Sequence, residues 1–328
     1  MNHLADTCCL VTGGAGFVGS TIVDQLLAAG ASEVRVVDNF VRGSRGNLAW
    51  ALDHGGVNVI EGDICDASLV NRATEGVDYV FHQAALRITR CAENPREAVE
   101  VLIDGTLNVL EAALRYKVKK VVAASSASVY GEPSYLPIDE SHPFNNRTMY
   151  GAAKIANEQM LRALHETSGL QYVALRPFNV YGPRMDVTGV YTEVLIRWLD
   201  AIETNKPPLI FGDGSQSMDF VYVEDVARAN LLAAQSSVSD EVFNVGTGVQ
   251  TSLNELCGLV LSLTGSSSQP EHREARSVGN VQRRRAAVEK ADRMLGFRTT
   301  VSLEQGLREL IRWREAAKAM AAPVVEAS

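Results

Sequence analysis

Between residues 8 and 182, short and nearly continuous apolar runs alternate with helix-like segments, and this rhythm constrains the fold more than any other feature. "CCLVTGG" (8–14), "EVRVVDN" (33–39), "VNVIEGDI" (57–64), "VDYVFHQAA" (77–85) and "KKVVAASS" (119–126) read as strands. "GSTIVDQLLAAG" (19–30), "PREAVEVLIDGTLNVLEAALRY" (95–116) and "GAAKIANEQMLRALHETSG" (151–169) read as helices, and "LQYVALRPFNVYG" (170–182) follows the last of them. Valine-rich strands of continuous apolar character are buried on both faces, which implies a parallel sheet covered by helices. Right-handed crossovers then predict a doubly wound α/β sheet of Rossmann type over residues 1–180. After Tyr181 the rhythm loosens, with Pro183, "KPP" (206–208) and "FGDGSQS" (211–217) interrupting short elements. A smaller C-terminal α/β lobe is expected from 181–216 and 236–316, with a return to the first domain near 217–235 and a flexible tail at 317–328.

Composition narrows the partners. The 328 residues are 46% hydrophobic and 21% charged with a formal net charge of −8, an ordinary soluble balance. Nucleic-acid binders carry a basic face, so none is expected here. The five cysteines (Cys8, Cys9, Cys65, Cys91 and Cys257) are odd in number and fit neither a disulfide framework nor a zinc site. The six histidines show no HxxxH or HExxH spacing, so no metal is expected. "MNHLADTCCLVTGG" does not read as a signal peptide, and no apolar stretch is long enough to cross a bilayer. The expectation is a cytoplasmic protein with no membrane partner.

"VTGGAGFVGS" (11–20) sets Gly13, Gly16 and Gly19 between the first strand and the first helix. A chain that turns sharply there beside a pyrophosphate needs residues without Cβ, and the helix N-terminus offers free N–H groups to the phosphates. Asp38 ends the second strand about twenty residues on, where a carboxylate binds both ribose hydroxyls and repels a 2′-phosphate. NAD is therefore expected over NADP. Asp63, in "EGDI" (61–64), either bonds the adenine edge or caps the helix that starts in "DICDASLV".

Tyr150 and Lys154, in "MYGAAKIAN", lie four apart on one helix face. A phenol titrates near pH ~10 and needs a neighbouring cation to serve as a base at neutrality. A serine from "VVAASSASVYG" (121–131) can hold the same substrate oxygen.

With these segments together, the chain resembles the extended short-chain dehydrogenase/reductase family, and within it the NAD-dependent nucleotide-sugar epimerases and dehydratases. The resemblance rests on "TGGAGFVGS", "DN" (38–39), "GDI", "HQAA", "SSASVYG", "YGAAK", "RPFNVYGPR" (176–184), "GDGSQSMDFVYVEDVA" (212–227) and "FNVGTG" (243–248), and spans almost the whole chain. It implies that Tyr150 is the acid/base, that Lys154 holds the nicotinamide ribose and lowers the tyrosine's pKa, and that Ser126 binds the reacting hydroxyl. Cofactor contacts are implied for Gly13, Gly16, Phe17, Val18 and Gly19, for Asp38, Asn39, Asp63 and Ile64, and for Ala84, Ala85, Arg87 and Phe178. Substrate contacts are implied for Ser128, Asn179, Met218, Arg276 and Arg284, with a nucleotide-diphosphate sugar, UDP-linked for preference, as the ligand. A homodimer through the helices at about 95–116 and 150–168 is also implied.

The serine-rich turn selects among the family's reactions. The dehydratases it resembles typically read "STDEVYG", with an Asp–Glu pair where this chain has Ala127 and Ser128, and the decarboxylases typically keep a glutamate at Ser128. What remains moves one hydride and one proton, which suffices for 4-epimerisation through a 4-keto sugar. A one-way NAD-dependent sugar oxidoreductase or ketosugar reductase is the alternative, and a non-catalytic NAD-binding regulator a more distant one. Ser125 and Ser128 read as turn hydroxyls on local backbone. Four positions depart from the family pattern: Met218 replaces an arginine, Leu102 an asparagine, "RSVGNV" (276–281) blurs "RPGDV", and Arg283, Arg284 and Arg285 follow it. Such a run is either a solvated face or, through Arg284, a replacement for the charge lost at Met218 or a reader of a substrate carboxylate.

Overall fold

In the computed structural model, which describes residues 3–186, 194–275 and 281–321, seven strands form one central sheet. They are β1 (Cys8–Thr12), β2 (Glu33–Asp38), β3 (Val57–Glu61), β4 (Tyr79–His82), β5 (Lys120–Ala124), β6 (Tyr172–Pro177) and β7 (Glu241–Val245). Their order is β7-β6-β5-β4-β1-β2-β3, and every neighbouring pair is parallel. The order reverses between β1 and β4, and at such a point the crevice beyond the strands' carboxyl ends is where α/β sheets bind ligands. The doubly wound expectation agrees with this sheet.

The main helices are α1 (Phe17–Ala28), α2 (Ala67–Thr74), α3 (Gly105–Arg115), α4 (Met149–Ser168), α5 (Val194–Glu203), α6 (Val223–Gln235), α7 (Leu253–Thr264), α8 (Glu289–Leu295) and α9 (Leu303–Ala321), with shorter ones at Ala49–His54, Ile88–Glu93 and Pro95–Val99. Alternate residues of each strand face opposite sides, so the sheet carries two apolar layers. Val11, Val36, Phe81 and Val122 pack with Ile22 and Leu26 of α1 and Val226 and Ala233 of α6. Leu10, Val37, Val80 and Val121 pack on the other side with Val70 of α2, Val109 and Leu110 of α3 and Leu161 of α4. A third cluster, apart from these two layers, is built on Trp198, Ile210, Phe220, Leu256 and Leu307.

Three local outcomes differ from the sequence reading. The return to the first domain runs past residue 235 as far as Val245, because "EVFNV" supplies the edge strand β7 beside β6. The long helix is reached in stages, Pro95–Val99, a π turn at Glu100–Asp104, then α3. Helix α9 continues through Ala321, into the stretch expected as a tail. It is anchored just before that stretch by buried Arg314, which donates to the Ile196 carbonyl at 3.1 Å and to Glu203 at 3.1 Å on α5. No helix among the described residues is long and apolar enough to cross a membrane.

Candidate active site

The glycine-rich turn closes against the end of β4. Gly13 has φ +67°, and a Cβ there would stand 2.8 Å from the backbone of Ala84. At Gly19 a Cβ would lie 2.1 Å from the Gly13 carbonyl oxygen, so α1 can pack this close only with glycine at that position. The first turn of α1 therefore points its free N–H groups into the crevice.

Asp38 ends β2 beside this turn, 7% exposed, with Oδ2 accepting the Ala15 N–H at 2.9 Å and Oδ1 accepting the Phe40 N–H at 2.9 Å. Both oxygens keep lone pairs for a further donor. Asp63 accepts from the Asn39 amide at 2.7 Å and from the Cys65 N–H at 2.9 Å. The helix-cap alternative for Asp63 is corrected: Asp66 caps α2, accepting from Ser68 and Leu69.

At the other end, α4 is set by Thr148, whose hydroxyl accepts the Gly151 N–H at 3.1 Å, so Tyr150 and Lys154 leave its first turns on one side. The Lys154 ammonium donates to the Ala124 carbonyl at 2.6 Å and sits 5.8 Å from the centroid of the Tyr150 ring. The Ser126 hydroxyl accepts the Ser128 N–H at 3.1 Å and lies close enough to the Tyr150 phenol to act on its ionisation. Burial pushes the phenol up to about 12, opposed by the Ser126 hydroxyl and by Arg42. Burial pulls the Lys154 ammonium down to about 8, opposed by Cys91 and Glu158. The expectation that Lys154 lowers the phenol's pKa is not met in this structure, because the ammonium is committed to the Ala124 carbonyl and desolvation dominates the ring.

The serines of the turn after β5 separate. Ser125 donates to Glu158 of α4, so it is no local turn hydroxyl. Ser128 Oγ is sealed from solvent and has no hydrogen-bond partner. Neither bonds the local backbone through its side chain, because the turn's backbone is satisfied by Ser126 and by 3₁₀ bonds.

One cleft of about 1550 Å³ brings these groups together, and every expected cofactor residue, Ser126, Ser128, Asn179, Met218 and Arg284 lie on its wall. Arg276 lies outside the described residues. The sequence reading missed four wall residues that the fold adds, Arg42, Arg184, Asp186 and Gln216. Arg42 and Arg87 both reach Asp186, Arg42 at 3.4 Å. Arg184 pairs with Asp24 of α1 at 2.6 Å. Gln216 presents a sealed Oε1 with no partner. Arg42 was the most findable of these, a lone cation just after Asp38; the others depend on contacts more than a hundred residues apart or on burial alone.

The residues present fit a dinucleotide: a glycine cradle that a Cβ would fill, a buried carboxylate at the end of β2, and a lysine–tyrosine pair beyond. Residues 9–246 match the model of the NAD dependent epimerase/dehydratase family. The chain is 36% identical over 307 residues to a UDP-glucose 4-epimerase of Mycolicibacterium smegmatis, covering 93% of this chain and 97% of that protein. It is 35% identical over 320 residues to a UDP-N-acetyl-alpha-D-glucosaminuronate decarboxylase of Bacillus cytotoxicus, again covering 93% and 97%. Among solved structures, the UDP-N-acetylglucosamine 4-epimerase of Methanobrevibacter ruminantium in complex with UDP-N-acetylmuramic acid superposes with a TM-score of 0.91. Its sequence is 35% identical, over 95% of this chain and 99% of that one.

Proposed function

The chain belongs to the NAD-dependent epimerase/dehydratase family, and from that premise we propose that it is an NAD-dependent nucleotide-diphosphate-sugar 4-epimerase, with UDP-sugars favoured. Epimerase and decarboxylase relatives are about equally similar in sequence, so identity does not choose the reaction. The carrying observation is the composition of the turn that faces Tyr150: Ser126, Ala127 and Ser128 stand there with no carboxyl group among them. Dehydration needs a further acid/base at the sugar, the decarboxylases this chain resembles typically keep a glutamate at the position of Ser128, and inversion at C4 needs neither.

The glycine turn, Asp38 and Lys154 would hold NAD, which when bound accepts a hydride and gives it back. The remaining chemistry belongs to this chain. Ser126 and Tyr150 bind the C4 hydroxyl from one side, and Tyr150 takes its proton as the carbon is oxidised. Lys154, anchored on the Ala124 carbonyl at the start of the turn, would hold the nicotinamide ribose beside the phenol. The 4-keto sugar then turns over in the wide cleft, and Tyr150 returns the proton after reduction from the other face. Substrate is held at the Asn179 and Met218 side of the cleft. The helices at 95–115 and 149–168 are proposed as the face of a homodimer.

The purified protein incubated with UDP-glucose, UDP-N-acetylglucosamine and UDP-glucuronate should invert C4 of at least one, seen by proton NMR, without net NADH. Stoichiometric NADH would move the reading to a one-way oxidoreductase. A Tyr150→Phe variant should lose about 10³-fold in kcat.

A further inference from the structure

Arg284 lies on a segment pinned from three sides. Its own N–H donates to the Ser217 carbonyl at 2.9 Å, the Arg285 carbonyl accepts from Ile138 at 2.8 Å, and the Ala286 N–H donates to the buried Asp219 carboxylate at 3.1 Å. Asp219 also takes the Thr247 and Gly248 N–H groups, at 2.8 and 2.9 Å, so the support is rigid. A bridge pairs Ser217 with Arg283, and the next residue of each segment therefore points to the opposite face. Those residues are Met218 and Arg284, and both are on the cleft wall.

The three consecutive arginines thus have three fates. Arg283 is exposed, Arg285 is exposed and gives its Nε to the Gly248 carbonyl at 2.8 Å, and Arg284 alone of the three lines the cleft. Among the described residues Arg284 makes no ion pair, and its Nε is sealed from solvent without a hydrogen-bond partner. Burial pulls its guanidinium below the ordinary value, and Glu132 is the one charge that acts against this. By contrast, the other cleft cations described above hold partners: Lys154 the Ala124 carbonyl, Arg42 and Arg87 Asp186, and Arg184 Asp24.

A sealed guanidinium donor with nothing to bond is costly, and its planar fork matches two oxygens of one anion. Ser128 Oγ and Asn179 Oδ1, also sealed and unpartnered, lie on the wall of the same cleft and mark it as built for a polar ligand. We propose that Arg284 takes a pair of anionic oxygens from the bound substrate and so sets which nucleotide sugars this chain accepts. The inference rests on the nucleotide-sugar reading above. Two sources carry that chemistry, the diphosphate and a carboxylate on the sugar.

Calorimetric titration of the NAD-loaded protein with UDP, UDP-glucose and UDP-glucuronate separates them, using Arg284→Gln with Arg283→Gln as the exposed control. A loss of affinity of about 10- to 100-fold for all three ligands assigns Arg284 to the diphosphate. The same loss confined to UDP-glucuronate assigns it to a sugar carboxylate. Arg284→Lys keeps the charge without the fork and should fall between wild type and Arg284→Gln, which covers the case that the neutral variant does not fold. Unchanged binding of all three ligands by Arg284→Gln, with Arg283→Gln equally silent, overturns the proposal while leaving the function reading intact. A wild-type protein that binds none of the three overturns the function reading first.

Discussion

The Ser125 hydroxyl donates to the Glu158 carboxylate across the gap between the end of β5 and the middle of α4. Glu158 is itself clamped by Arg176, whose Nε and Nη2 reach its two oxygens at 2.8 and 2.6 Å. Arg176 then donates to the Tyr130 hydroxyl at 2.8 Å, and Tyr130 to the Asn244 side chain at 2.6 Å. This buried chain ties β5, β6, β7 and α4 together directly behind the turn that carries Ser126. Adjacent serines therefore do different work, one holding the scaffold and the other facing the phenol.

The pair gives a split in readouts. Ser125→Ala removes one of two donors to Glu158 Oε1, which keeps its bond from Arg176 Nε, and should cost about 1 kcal/mol of stability in urea melts, with kcat within about threefold of wild type. Ser126→Ala should cost about 1 kcal/mol through the lost bond to the Ser128 N–H and, unlike Ser125→Ala, lose about 10²-fold in kcat. Equal kinetic damage from both substitutions would mean that the scaffold, rather than the hydroxyl facing Tyr150, is what catalysis needs.

Lys154 makes activity and stability pull apart. Its ammonium is held down at about 8 by burial against an ordinary 10.5, so the folded chain carries an ionisation penalty that is full below pH 8. The penalty is relieved as pH rises from about 8 toward 10.5. Lys154→Met should therefore be more stable than wild type at pH 7, with the advantage shrinking by pH 10, while kcat falls by at least about 10²-fold. Melts at pH 7, 8.5 and 10 check the sign; a constant gap would assign the difference to packing.

Much of this was legible in the sequence because it depends on local patterns. The glycines of the first turn, Asp38 at a strand end, and the four-residue spacing of Tyr150 and Lys154 are each set by a few neighbouring residues, and all fall on one cleft wall. What was not legible depends on contacts far apart in sequence. Ser125 looked like a turn hydroxyl because Glu158 is 33 residues away. Asp63 and Asp66 both fit a helix cap, and the chain's path decided for Asp66. The direction of the Tyr150 shift depends on how thoroughly the ring is desolvated, which no spacing reveals.

Asp186 joins the two sides of the proposed cofactor groove, because Arg42 follows β2 and Arg87 follows β4 and both reach its carboxylate. The side chains of Arg87 and Asp186 are only 20% and 23% exposed, so the charge-assisted bond is poorly screened. Asp186→Asn should retain less NAD through gel filtration, with cofactor dissociation faster by about tenfold, and should begin to release NADH when given a sugar nucleotide. Retention equal to wild type would show that this contact does not hold the cofactor.

His82 predicts the chain's response to acid. Thr106 gives its own hydroxyl proton to the Leu102 carbonyl at 2.7 Å, so its oxygen must accept from His82 Nε2 at 3.0 Å. His82 Nδ1 is then the acceptor for the Thr12 hydroxyl at 2.7 Å, and the neutral Nε2–H tautomer satisfies both ends. A second ring proton would face the Thr12 hydroxyl, at the strand end from which the glycine turn departs. Burial, with Lys154 adding repulsion, pulls His82 from 6.5 down to about 3. The neutral ring's contribution is thus fully present above pH 6.5 and is lost as pH falls from there toward 3, since the unfolded chain takes up the proton first. Urea melts between pH 7 and 4 should show wild type losing stability more steeply than His82→Gln. The carboxylates titrate in both proteins, so the difference isolates the imidazole, and parallel curves would remove His82 as its cause.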